Sequence, residues 1–133
     1  MEPKMESNNL ARWHRALLEQ DHDLLREILD ENVELHSPTV GTPKLGRDLV
    51  HFILTTVFDV FDDFNYHREW VDSDDMALEF SAKVGDRNVK GVDLIKWNQE
   101  GKIIHFEVAM RPLRGVQALF EEMNSRFEKA GLT

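Results

Sequence analysis

One carboxylate, Asp93, stands in the middle of an apolar strand, and no other feature constrains this chain more. Residues 91–112, GVDLIKWNQEGKIIHFEVAMRP, read as two long strands joined by a tight turn at Gln99, Glu100 and Gly101. Gly101 can take the positive φ such a turn needs. Val92, Leu94 and Ile95 flank the carboxylate on the first strand, and Ile103, Ile104, Phe106, Val108 and Met110 continue the apolar run on the second. An Asp in such company is costly to bury unless it is paired, hydrogen-bonded or kept neutral. If it faces inward, strand alternation puts Val89, Gly91, Ile95 and Trp97 on its side. Two roles then fit. It is an acid/base group whose pKa is raised by desolvation, or a structural carboxylate paired with Arg111, Lys90 or Tyr66.

The rest of the chain supplies a scaffold for this hairpin. At 133 residues and 41% apolar it suits one domain with one core, spanning 1–133. Ser7 or Asn8 can cap a first helix to about residue 19, with Leu10, Trp13, Ala16, Leu17 and Leu18 as its apolar stripe. Trp13 fits the core or the wall of a pocket. Asp21 caps a second short helix carrying Leu24, Leu25, Ile28 and Leu29. Residues 32–38 switch to period two, with Val33 and Leu35 on one face and Glu34 and His36 on the other, and form a first strand. Pro38, Gly41, Pro43 and Gly46 mark a loop. A third helix runs from Gly46-Arg47-Asp48 to about residue 60 and is apolar enough to be mostly buried. Residues 64–71 read as a strand of unassigned inward face. In the next strand Met76, Leu78, Phe80 and Ala82 alternate with Ala77, Glu79, Ser81 and Lys83, and a turn at 85–88 leads into the strand of Asp93. A last helix, about 112–130, carries Val116, Leu119, Phe120, Met123 and Phe127 as a stripe that packs on the domain or on a twin subunit.

Composition removes several function classes. There is no cysteine, which excludes disulfides, thiolate catalysis and Cys-based zinc sites. The net charge of −9 argues against nucleic acid or an anionic membrane surface as partner. The N-terminal residues lack the apolar core of a secretory signal and no run approaches the ~20 apolar residues of a membrane span, so a cytoplasmic protein is expected. There is no Gly-rich phosphate loop, and Ser37 is not in a nucleophile-elbow context. His67-x-Glu69 and His105-x-Glu107 each put an imidazole and a carboxylate on one strand face, but a metal needs three converging ligands and the meander separates these strands. No metal and no cofactor are expected.

Trp13, Asp21-x-Asp23, ELHSP at 34–38, the loop ending in Pro43 and Gly46-Arg47-Asp48, and the final GVDLIKWNQEGKI occur in an order that resembles the NTF2-like superfamily, in particular its SnoaL-like proteins. The resemblance covers about residues 10–112. It implies an α+β, cystatin-like cone: helices packed on a strongly curved, mostly antiparallel sheet around a conical pocket, here with an extra C-terminal helix. It also implies a pocket lined by Trp13, Ser37, Tyr66, Trp97, Phe106, Val108, Met110 and Arg111, with Asp93 and His36 as the candidate catalytic residues. Arg111 fits either a ligand carboxylate or a pairing with Asp93, and either His36 or Ser37 points inward.

Within the superfamily, ketosteroid isomerase has an Asp followed five residues later by Asn and a glycine turn, a spacing matched by Asp93 and Asn98. That family holds this Asp protonated to stabilise an enolate oxygen. Its oxyanion tyrosine falls here on Trp13 and its general-base Asp on Ser37. The Arg-x-Asp pair of limonene epoxide hydrolase has no counterpart on the middle strand. Of the paired histidines in scytalone dehydratase, His36 can supply one. The expected function is therefore binding of a small, largely apolar molecule, with cofactor-independent isomerisation, dehydration or hydrolysis through Asp93; the alternative is a non-catalytic ligand-binding or dimerisation module. The resemblance further implies a homodimer through the outer sheet face, where Val92, Leu94 and Ala77 lie among charges.

Overall fold

The computed structural model describes residues 5–131. Helix α1 (Met5–Leu18) and helix α2 (His22–Ile28) lead into strand β1 (Leu29–His36). A two-residue strand β2 (Lys44–Leu45), helix α3 (Arg47–Val60) and the strands β3 (Phe61–Asp72), β4 (Asp75–Val84), β5 (Arg87–Trp97) and β6 (Ile103–Arg111) follow, and helix α4 (Leu113–Lys129) ends the chain. The sheet order is β2-β1-β6-β5-β4-β3. Strands β3 to β6 form an antiparallel meander, whereas β1 joins β6 in parallel. This is the α+β arrangement expected, with the helices on the concave side of an open sheet. Among the described residues no helix is long and apolar enough to cross a membrane.

Local chemistry explains most boundaries. The Asp21 side chain accepts a hydrogen bond from the Leu24 backbone N–H and so caps α2. In the turn between β5 and β6, Asn98 Oδ1 accepts from the N–H groups of Glu100 and Lys102, and Gly101 takes φ 73°. Gly91 leaves room on β5 for the Phe80 ring of β4 and the backbone of β6, because a Cβ there would lie 2.6 Å from a Phe80 ring carbon and 2.6 Å from the Ala109 carbonyl oxygen. The core takes Trp13 from α1, Leu25 and Ile28 from α2, Val50 and Leu54 from α3, and Leu78, Ile95, Trp97 and Phe106 from the sheet.

The structure corrects the expected elements in several places. Helix α1 begins before Ser7 and Asn8, so neither is its cap. Leu18 lies 54% exposed, outside the stripe assigned to it. Leu29 opens β1 rather than closing α2, and β2 interrupts the loop. Strand β3 starts at Phe61, and its inward face changes along its length. Register shifts lie between Asp62 and Asn65 and between Tyr66 and Glu69, with Asp63 at φ 51°. Phe64 and Tyr66 therefore face the helices, as do Glu69 and Val71, while Trp70 is turned out. Helix α4 packs on its own domain. Leu119 and Met123 are buried, and Gly115 approaches β5 so closely that a Cβ would fall 2.3 Å from Val89 Cγ1.

Candidate functional site

Strand β5 alternates as expected: Val89, Asp93, Ile95 and Trp97 are all buried on the helix side. Asp93 is 3% exposed, opposite Leu78 of β4 and Val108 of β6. Among the described residues no cation pairs with it: Arg111 and Lys90 are exposed and stand opposite each other across β5 and β6, so of the three structural partners considered only Tyr66 is in place. The Tyr66 hydroxyl donates to Asp93 Oδ2 at 2.5 Å and accepts from the Trp13 indole N–H at 2.9 Å. The direction of this relay is fixed, because an indole N–H can only donate and leaves the single phenolic hydrogen for the carboxylate.

Burial lifts the Asp93 pKa from 3.8 to about 7, with the Tyr66 hydrogen bond pulling against it. Burial, then the adjacent Asp93 charge and the hydrogen bond to Asp93, hold the Tyr66 phenol well above its ordinary value, so the phenol keeps its proton. Asp93 thus changes charge near neutral pH. Its neutral form still accepts from Tyr66 at one oxygen and has an O–H to donate elsewhere.

Asp93 opens on a cavity between the sheet, α3 and α4. Its walls are apolar: Leu54 and Phe58 from α3, Phe64 and Phe80 from β3 and β4, Phe106, Val108 and Met110 from β6, and Leu119 and Met123 from α4. The free volume is about 80 Å³, room for several waters at ~10–15 Å³ each. Ser37, Thr39, Lys44 and Asn124 are the other polar lining residues, and Asp93 is the one carboxylate among them. Ser37 Oγ is bonded to Thr39 Oγ1 at 2.9 Å.

Of the expected pocket residues, Ser37, Phe106, Val108 and Met110 line the cavity. Trp13 and Tyr66 stand behind Asp93 as its supports. Trp97 is packed away, its indole N–H on the Met76 sulfur at 3.3 Å and the Arg12 guanidinium over its ring. Arg111 lies outside. His36 is also outside, because Leu35 takes the inward position on β1 and turns Glu34 and His36 to the opposite face. There His36 stacks on His105 with ring centroids 4.6 Å apart. Asn98 serves the turn and Asp30, not the cavity. The walls supplied by α3 and α4 were not among the expected site residues. Their signal was the breadth of the apolar face of α3 and the stripe on α4.

No family model matches the chain, and no curated protein matches it. Solved structures do. The chain is 38% identical to a protein from Pseudomonas aeruginosa named steroid delta-isomerase, over 98% of this chain and 97% of that one, with a TM-score of 0.91. It is 40% identical to an uncharacterised bacterial protein with a cystatin-like fold from Silicibacter pomeroyi, over 90% of this chain and 85% of that one, with a TM-score of 0.86. A proposed SnoaL-like polyketide cyclase from Jannaschia sp. shares the fold at 14% identity, covering 90% and 96% of the two chains with a TM-score of 0.71.

Proposed function

The chain belongs to the NTF2-like superfamily, and from that premise we propose that it binds a small, largely apolar oxygen-bearing molecule and moves a proton on it through Asp93, without a cofactor. The observation that carries this reading is the lone carboxyl, buried and titrating near neutrality, in a cavity walled mainly by apolar side chains. A group with a pKa near the working pH serves as base in one half of a proton transfer and as acid in the other. Tyr66 and Trp13 hold one oxygen in place, which leaves the other for the ligand. Isomerisation and dehydration of carbonyl compounds need this and little else. The likeness to the protein named steroid delta-isomerase supports the same reaction class.

Steroid isomerisation by the residues that family uses is not part of the proposal. Ser37 stands in the place of the base and is engaged with Thr39, and Trp13 stands in the place of the tyrosine with its N–H spent on Tyr66. A cavity of about 80 Å³ also admits only a small ligand unless α4 moves, since drug-sized ligands occupy ~300–1,000 Å³.

The test is a panel of small enones, β-hydroxy ketones, lactones and epoxides, assayed for binding by displacement of an apolar fluorophore and for turnover. Asp93→Asn is expected to keep binding and to lose ~10²–10⁴ in kcat. Turnover by that variant at the wild-type rate, or no saturable binding of any compound, refutes the proposal. Binding without turnover supports instead a non-catalytic binding module, a reading favoured by the lack of a second carboxylate or an imidazole among the lining residues. We also propose a homodimer through the outer sheet face, where Trp70 and Leu94 are 52% and 39% exposed.

A further inference from the structure

The parallel pairing of β1 with β6 builds a second polar cluster on the opposite side of the sheet from the cavity. Its register sets Glu34 beside His105, Leu35 beside Phe106 and His36 beside Glu107. Period two sends Leu35 and Phe106 inward, where they are 2% and 1% exposed, and sends the four polar residues outward together. His105 then sits between two carboxylates, with Nδ1 3.6 Å from Glu34 Oε2 and Nε2 3.3 Å from Glu107 Oε1. One ligand atom from each of Glu34, His36 and His105 lies within 4.8 Å of the others, and all three side chains are half-buried. The convergence that β3 and β6 lacked is supplied by β1.

We propose that Glu34, His36 and His105 form a binding site for a divalent transition metal of the zinc class, with Glu107 on the other ring nitrogen of His105 to orient it. Two neutral imidazoles and one carboxylate carry a charge of about −1, which suits a dication. Nitrogen donors favour zinc and its neighbours over calcium or magnesium, which take oxygen ligands. Ligand atoms around tetrahedral zinc lie ~3.3–3.5 Å apart at the usual bond lengths, so side-chain rotations of about 1 Å close the site on a backbone already in register. Lys96 stands opposite His105 across β5 and β6, but its amino group is drawn to Asp75 at 3.3 Å. A metal here would clip β1 to β6 directly behind Leu35 and Phe106, two walls of the cavity.

The experiment is a calorimetric titration of tag-free, chelator-stripped full chain with zinc(II), alongside thermal denaturation. One zinc per chain and a raised Tm are expected, with both lost in His105→Gln and in His36→Gln and both kept in Asp93→Asn. In wild-type protein, zinc should perturb the imidazole NMR signals of His36 and His105 and leave those of His14, His22, His51 and His67 in place. That readout stands even if a variant fails to fold. No saturable binding, unchanged binding in a folded His105→Gln protein, or perturbation of the other histidines instead would each overturn the site.

Discussion

Replacing Asp93 by Asn isolates what the buried carboxyl does to stability. The amide has nearly the same shape, keeps an oxygen for the Tyr66 hydroxyl and does not titrate. In the native protein the carboxyl is raised from 3.8 to about 7, chiefly by burial. The unfolded chain gives up this proton near ~3.9. Between the two values the native state therefore holds a proton that the unfolded state lacks, and unfolding free energy falls as pH rises. The group's contribution is fully present below about pH 4 and is lost as pH climbs through about 7, above which a charge is buried without a cation. The distance from 3.8 to about 7, at ~1.4 kcal/mol per pH unit, amounts to ~4 kcal/mol. Because Asp93 is only 3% exposed, water does little to screen it, and ~4 kcal/mol is a large share of the ~5–15 kcal/mol that holds a domain together. Urea unfolding of both proteins across this range is the assay. The stability of Asp93→Asn minus that of wild type should rise by ~4 kcal/mol from about pH 4 to about pH 8 with m unchanged. A flat difference, or one that falls with pH, would refute the reasoning, since it would mean a solvated or ion-paired carboxylate.

Tyr66→Phe should raise the Asp93 pKa further, by removing the one hydrogen bond that lowers it, and should cost ~1–3 kcal/mol because the Trp13 N–H loses its acceptor. Carboxyl NMR titration checks the direction, and a lower value would contradict the relay. Gly115→Ala should destabilise by ~1–3 kcal/mol, because its Cβ would meet Val89 Cγ1 at 2.3 Å between two packed elements. A neutral result in thermal denaturation would mean that α4 does not dock that closely. Light scattering should give a dimer mass for wild type and a monomer mass for Trp70→Glu with Leu94→Lys, which remove two exposed apolar side chains of the outer face. A monomeric wild type would remove the dimer.

The hairpin of β5 and β6 was legible because period two, a glycine turn and a single out-of-place carboxylate all agreed. Asp93 duly faces inward with Val89, Ile95 and Trp97. Tyr66 was less legible. The bulges of β3 change its inward face within a few residues, and no alternation count can register them. His36 was assigned to the cavity on a resemblance, although Leu35 alone decides the face of β1. The meeting of His36 with His105 was not legible at all, since parallel pairing between distant strands leaves no local pattern. The role of α4 was legible as an apolar stripe but not as a wall, because a stripe does not name the surface it covers.

Pairing between β1 and β6 has a consequence for how this protein assembles and opens. The meander from Phe61 to Arg111 grows by neighbouring hairpins, each closing a short loop. Seating residues 29–36 on 103–107 closes a loop roughly ten times longer, and chain entropy must be met before any of those contacts form. Contacts so distant in sequence form late and slow the folding of the whole domain. On that ground the meander is expected to form before α1, α2 and β1 dock on it. Partial unfolding runs the same route backwards. Amide hydrogen exchange should then find Val33 and Leu35 opening before Leu78 and Ile95.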